Sequence, residues 1–278
     1  MGRIVTLLAV ALCITGCRGT WDNLNARWNN DTQTDNAYVG GRGIVTSEGP
    51  AGLFLNPTSG TQKKGVLTAQ TCLATFEGSD GSSFSGNKVL VSYGVEDWLE
   101  VGAVSLDIQN DGLNPGIGPH VRARVVKEKS DSVVPEVAVG YYANEGRERV
   151  GREQKRVLFL AASKDIPLPW SDKAKPFVRS ARLHAGVRHA WRDAPESTIG
   201  AGNRSDVVGW FGGEIEMPHN IFFVAEFATD EITLPRSPFG FGIQVRHPSG
   251  LGLTLGGIQP GFSADIGLYV GIGIGVSW

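Results

Sequence analysis

Five histidines, His120, His184, His189, His219 and His247, are the first candidates for acid–base or metal chemistry in this chain, because imidazole titrates near neutrality and is the commonest metal-binding side chain. His184 and His189 are five residues apart, which puts them on opposite faces of a strand. No carboxylate stands at ligand spacing beside either one, so they do not form a metal pair. Arg182 and His184 share a face with Arg188, and a later segment supplies Glu214 and Glu216. That set suits an ion network around a buried histidine, with catalysis by His184 or His189 as the remote alternative. There is no Gly-x-Ser-x-Gly, phosphate loop or His-Glu-x-x-His. The cysteines are Cys13, Cys17 and Cys72, too few for a disulfide framework or a thiolate metal cluster. No cofactor or metal site is expected, and no enzymatic activity.

The remaining charges follow a rule. Lys88, Glu100, Arg122, Arg124, Glu136, Arg156, Arg182, His184, Arg188, Glu214, Glu216, Glu226 and Arg246 alternate along the chain with large apolar residues. Runs such as Val89-x-Val91-x-Tyr93, Val121-x-Ala123-x-Val125, Val137-x-Val139-x-Tyr141, Phe223-x-Ala225-x-Phe227 and Phe239-x-Phe241-x-Ile243-x-Val245 carry no charge. Val157, Phe159 and Ala161 are assigned to the same apolar face. Period two means β-strands with one greasy and one polar face. The polar set holds a slight basic excess, which would favour small anionic solutes or acidic glycans in a pore. Arg–Glu pairing that closes the interior is the competing reading.

These faces need strands to carry them. The clearest is the last. Ile266, Leu268, Val270, Ile272, Ile274, Val276 and Trp278 alternate with Gly267, Tyr269, Gly271, Gly273, Gly275 and Ser277. At 13 residues it exceeds the roughly 9–11 that a tilted transmembrane strand needs. The alternation predicts twelve strands, at 66–77, 87–95, 98–107, 119–129, 135–143, 153–163, 177–190, 204–217, 220–228, 238–247, 251–260 and 265–278. Links after the second, fourth, eighth and tenth strands are short. Those after the first, third, fifth, seventh and ninth strands run longer, as at Asn144–Arg152 and Trp191–Asn203, and the sixth link, Lys164–Pro176, is a long exception. Glycine is 38 of 278 residues, about twice the usual ~7%, as a curved sheet with crowded interior positions requires.

A soluble β-sandwich would alternate in the same way with its faces reversed. The number of apolar stripes, the Arg/Glu/Gly character of the polar face and the aromatic carboxy-terminal residue favour a closed, antiparallel, up-and-down transmembrane β-barrel of about twelve strands. Trp98, Trp170, Trp191 and Trp278 fall near strand ends, where such barrels carry aromatic girdles. Residues 266–278 resemble the final strand of bacterial outer-membrane barrels, in which a terminal aromatic such as Trp278 belongs to the assembly signal.

The start of the chain is a targeting segment, with Arg3 and then the apolar run Ile4–Ile14. Ile14-Thr15-Gly16-Cys17 resembles the lipobox of bacterial lipoproteins, which implies lipidation at Cys17. The expected division is a signal peptide at 1–16, a lipid-anchored periplasmic tether or plug at 17–65 and the barrel at 66–278. The anchor implies an amino terminus in the periplasm, and an even strand number returns the chain to that side. Near-neutral charge, −2, leaves no nucleic-acid footprint.

Short segments add a weaker resemblance. Gly49-Pro50-Ala51-Gly52-Leu53-Phe54-Leu55-Asn56-Pro57-Thr58, Tyr93–Gly102, Phe211–Glu216 and Phe223–Phe227 resemble YjbH-type outer-membrane proteins, which are associated with exopolysaccharide production or export. That resemblance implies a narrow channel or an accessory of envelope polysaccharide export. The alternative is a sealed structural or partner-binding barrel. The expected partners are the outer membrane and the assembly and lipoprotein-sorting machinery, with polysaccharide or a small anionic solute as cargo. A twelve-stranded lumen falls between side-chain-filled barrels and open porins, so it should be narrow or plugged, with residues 21–65 as the candidate plug.

Overall fold

The computed structural model describes residues 52–77, 83–109, 116–129, 133–148, 151–167, 177–193, 204–229, 237–247, 250–259 and 265–277. The chain divides into a unit Met1–Ala37 and a unit Tyr38–Trp278. The signal segment, Cys17, Trp170 and Trp278 lie outside the described residues, as does the 17–51 part of the expected tether.

Twelve strands form one closed antiparallel sheet: β1 (Val66–Glu77), β2 (Ser83–Glu96), β3 (Leu99–Gln109), β4 (Gly116–Val126), β5 (Glu136–Glu148), β6 (Gly151–Ile166), β7 (Ser180–Asp193), β8 (Arg204–Met217), β9 (Ile221–Ala228), β10 (Phe239–Arg246), β11 (Leu251–Gln259) and β12 (Gly267–Ser277). Each pairs with its sequence neighbours, and β12 pairs with β1 from Val66↔Ser277 to Thr75↔Leu268. Closure leaves no edge with unpaired backbone groups, the condition for a sheet to cross a bilayer. The turn from β8 to β9 runs through His219 and Asn220 at φ 64° and 58°, the left-handed conformation favoured in tight hairpin turns.

One expected long loop is instead strand. β5 and β6 pair as far as Glu148↔Gly151, so the link placed at Asn144–Arg152 shrinks to residues 149–150. The wall is uneven, 16 residues tall at β6 and 8 at β9 and β10.

The outward face is an apolar belt. Val91, Tyr93, Val121, Val139, Leu183, Phe211, Phe223, Phe241, Leu253, Leu268 and Ile272 are all exposed. Trp98 and Trp191 are exposed at opposite ends of their walls. The inward face holds the polar residues and a few rings.

β6 inverts the expected facing. Leu158 and Leu160 point outward at 52% and 44% exposure, while Val157, Phe159 and Ala161 are buried inside. The run Val157-Leu158-Phe159-Leu160-Ala161-Ala162 is apolar at both parities, so alternation cannot choose between them. The neighbouring strand does. A Cβ on Gly140 of β5 would stand 2.4 Å from the Phe159 ring, so only a glycine there leaves the ring its place. Trp210 lies over Gly186 in the same way, with a would-be Cβ 2.1 Å from the ring. Phe159 and Trp210 join Tyr142, Val157 and Val208 in an apolar cluster inside the wall.

Candidate functional site

The barrel interior is occupied by the chain's own residues 52–62. Leu53, Phe54, Asn56, Thr58, Ser59, Thr61 and Gln62 are each at most 4% exposed. Apolar residues followed by Asn56-Pro57 make this stretch a compact turn, since Pro57 cannot continue a helix and Asn favours turns. Gly52 bridges Pro57, and Leu53 N–H donates to Asn56 C=O at 3.1 Å. The Phe54 ring meets Tyr269 edge-on at 5.7 Å and lies over Gly240, Gly242 and Gly256 of β10 and β11. Glycines on the inner wall therefore make the cradle for this ring. Leu53, Phe54 and Leu55 share an apolar cluster with Cys72, Leu90, Val104, Val224, Ile258 and Tyr269.

A buried peptide segment must satisfy its backbone N–H and C=O groups, and here the wall does so. Glu226 Oε1 accepts from Phe54 N at 2.8 Å and Leu55 N at 2.5 Å. Its Oε2 accepts from Asn56 N at 3.0 Å and Asn56 Nδ2 at 2.9 Å. Gln244 Nε2 donates to Leu53 C=O at 2.9 Å, Arg122 Nη1 to Thr58 C=O at 3.0 Å, and Arg188 Nη1 to Asn56 Oδ1 at 3.0 Å. Ser59 Oγ donates to Glu136 Oε1 at 2.8 Å, and its N–H to Ser163 Oγ at 3.3 Å. Gln62 N–H donates to Glu100 Oε2 at 2.9 Å.

At the end where β1 begins, the segment is latched to the β2–β3 turn. Thr61 Oγ1 donates to Asp97 C=O at 2.6 Å, Lys64 N–H to Asp97 Oδ1 at 2.9 Å, and Gly65 N–H to Gly94 C=O at 2.8 Å. Gly65 sits at φ 74°, a conformation that favours glycine, and turns the chain into β1. Lys64 Nζ meets Glu96 Oε1 at 2.8 Å on the surface. The carboxylate accepting that bond holds the lysine above its ordinary pKa.

The inward charges form three paired groups. Arg122 Nη2 reaches Glu100 Oε2 at 2.5 Å, both fully buried, with His120 Nε2 3.5 Å from Glu100 Oε1 and 3.3 Å from Ser92 Oγ. Glu136 sits between Arg124 at 3.2 Å and Arg182 at 3.4 Å. Arg246 Nη2 reaches Glu214 Oε2 at 2.6 Å, and His184 Nε2 lies 3.8 Å from Glu214 Oε1. His184 Nδ1 also pairs with Ser163 Oγ at 2.8 Å. Such pairs tolerate burial only while both partners stay, because a lone ion in a low-dielectric interior is costly.

Lys88 and Glu216 face inward half-buried, Glu216 accepting from Ser180 Oγ at 2.8 Å. Arg156 does not join the lumen set. It has the outward parity of Leu158 and Leu160, is exposed, and reaches Gln154 Oε1 at 2.6 Å and Asp193 Oδ2 at 3.8 Å. Its expected inward place went with Val157, Phe159 and Ala161 facing outward, so the inversion of β6 moves all four together. Among the described residues no cluster of His, Cys, Asp or Glu has the arrangement of a metal site. His189 packs against Trp191 with ring centroids 4.1 Å apart and planes tilted by 34°, away from His184.

The wall residues not singled out from sequence are Ser163 and Ser92, while Gln244 falls on the expected polar face with a partner the sequence did not name. Both serines are ordinary inward polar residues whose partners are distant in sequence. Asn56, Ser59 and Gln62 carried the general signal of a possible plug, without their partners.

No family model matches the chain, and no curated protein resembles it in sequence. Solved structures resemble it in fold. The NanC porin is 10% identical over 76% of this chain and 99% of that one, with TM-score 0.46. The translocator domain of the autotransporter NalP from Neisseria meningitidis is 14% identical over 77% and 87%, with TM-score 0.41. A bacterial polysaccharide outer membrane secretin is 9% identical over 77% and 99%, with TM-score 0.35. The chain's own closed twelve-strand sheet and apolar outer belt define its fold as a β-barrel. These likenesses concern the barrel alone, and the interior must be read from its own residues.

Proposed function

We propose that the protein is an outer-membrane channel held shut at rest by its own segment 52–62, lipid-anchored at Cys17 with its amino terminus in the periplasm, and acting in passage across the envelope rather than in catalysis. The observation that carries this reading is the contrast between the plug and the wall. The wall's acids and bases largely satisfy one another, yet one whole set of wall groups is aimed at a peptide segment that leads into β1 through Gly65. The tip Leu53–Leu55 packs in an apolar cluster, but residues 56–62 are held by hydrogen bonds to polar wall groups, which water or solute can replace. The apolar belt supports membrane residence. Export of an envelope polysaccharide is the process suggested by the YjbH-type segments. With Arg156 on the outer face, the basic excess of the lumen set falls to one, which weakens the case for anionic cargo.

The second reading, a sealed structural barrel, draws on the paired Arg–Glu groups. Planar-bilayer recording separates the two. The native chain should be silent or rarely open, and the full chain with Asn56, Ser59 and Gln62 replaced by Ala should conduct. Silence of both at high salt, with the barrel folded, would remove the channel reading and leave the sealed one.

A further inference from the structure

One small plug side chain is gripped from both ends. Asn56 Nδ2 donates to Glu226 of β9 at 2.9 Å, and Arg188 of β7 donates to Asn56 Oδ1 at 3.0 Å. Asn56, Arg188 and Glu226 are 1%, 4% and 5% exposed. An amide is thus recognised as an amide, its N–H by an anion and its C=O by a cation. The other groups held here are amides too. Glu226 takes the backbone N–H of Phe54, Leu55 and Asn56, and Gln244 gives a hydrogen bond to the Leu53 carbonyl.

Glu226 also differs from the other buried carboxylates. Glu100, Glu136 and Glu214 each have an arginine partner. Among the described residues no basic side chain forms an ion pair with Glu226. A carboxylate so placed needs hydrogen-bond donors from whatever fills the lumen. Its register neighbours are Gly212 on β8 and Gly240 on β10. A Cβ at Gly240 would stand 3.1 Å from Glu226 Oε1, so the glycines keep the carboxylate uncrowded.

We propose that Glu226, Arg188 and Gln244 form an amide-binding site on the lumen wall, occupied at rest by Asn56 and its neighbours, which takes solutes bearing carboxamide or N-acyl groups when the plug withdraws. The access of such solutes rests on the channel reading above; the chemistry of the site does not. A carboxylate solute meets Glu226 with like charge, and an amine offers nothing to Arg188. An amide satisfies both, and leaving the buried Glu226 carboxylate without donors is what gives such a site its selectivity.

The test uses the full-length chain with Asn56→Ala, which empties the amide position and leaves the wall intact. The probe is acetamide, with acetate and ethylamine as controls. Cys72, packed in the same cluster as Leu53–Leu55, reports opening through its rate of alkylation. Asn56→Ala should raise that rate about 100-fold, the scale of two charge-assisted bonds lost at their lower end. Acetamide should return it toward the native rate, and acetate and ethylamine should not. Adding Arg188→Met should abolish the acetamide effect. If Asn56→Ala does not fold, Asn56→Ser carries the same measurement. A native alkylation rate in the folded variant, or equal effects of all three probes, overturns the site. Acetamide protection without conductance in any plug variant keeps the site and removes the channel; conductance without acetamide protection does the reverse.

Discussion

Glu226→Gln is the most discriminating single substitution. It keeps the side chain's shape and turns one acceptor oxygen into an N–H₂ donor. Glu226 Oε1 and Oε2 accept two hydrogen bonds each from residues 54–56. Whichever way the glutamine amide is turned, two donors then face a donor. A hydrogen bond to a charged group contributes about 1.5–3 kcal/mol, so two lost bonds amount to roughly 3–6 kcal/mol. Water entering the vacated space recovers part of this, which favours the lower end, about 3 kcal/mol or ~100-fold in the local opening equilibrium. The opening should be confined to residues 53–56. The Arg122, Glu136, Glu100 and Asp97 contacts of residues 58–64 are untouched.

Cys72 supplies the assay. It is 4% exposed on the inner wall, packed in one cluster with Leu53–Leu55. Its reaction with a membrane-impermeant thiol reagent requires the plug tip to leave, so under fast reclosing the rate follows the open population. Peptide-resolved mass spectrometry separates it from Cys13 and Cys17. The folded Glu226→Gln barrel, checked by heat-modifiable migration, should label Cys72 about 100-fold faster than the native chain. Labelling at the native rate would show that the four bonds do not hold the tip, and the energetic reasoning would fail with them.

Two further outcomes test the wall. Leu160→Arg should destabilise the barrel by about 2–4 kcal/mol, since Leu160 faces outward in the belt, whereas Arg156→Ala should stay within about 0.5 kcal/mol; denaturant unfolding in lipid vesicles compares them, and the reverse order would restore the opposite facing of β6. Arg122→Met should cost about 3–5 kcal/mol by stranding the buried Glu100 carboxylate. Adding Glu100→Gln should recover part of that loss in the same measurement, and purely additive losses would mean that the pair is not coupled.

Much of this architecture is written locally. Side chains on a strand alternate with period two, so Val121-x-Ala123-x-Val125 and Phe239-x-Phe241-x-Ile243 declare both the element and its outer face without knowledge of any neighbour. Charge is excluded from the belt by its solvation cost, and that rule fixes the inward side of Glu100, Arg122, Glu136, Arg182, Glu214, Glu226 and Arg246 from the sequence alone. The twelve-strand order follows, because hairpins join sequence neighbours and an even number closes the chain on its starting side. β6 escaped because Val157–Ala162 is apolar on both faces, and its orientation is decided by space over Gly140 for the Phe159 ring.

The interior belongs to the tertiary structure for the same kind of reason. Glu226 and Asn56 are 170 residues apart, and no local pattern ties a carboxylate on β9 to the backbone N–H groups of a loop before β1. The residue types promised a polar lumen and a segment able to fill it. Only closure of the sheet, by bringing β3–β10 around one space, settled which carboxylates pair with arginines and which one was left for the plug.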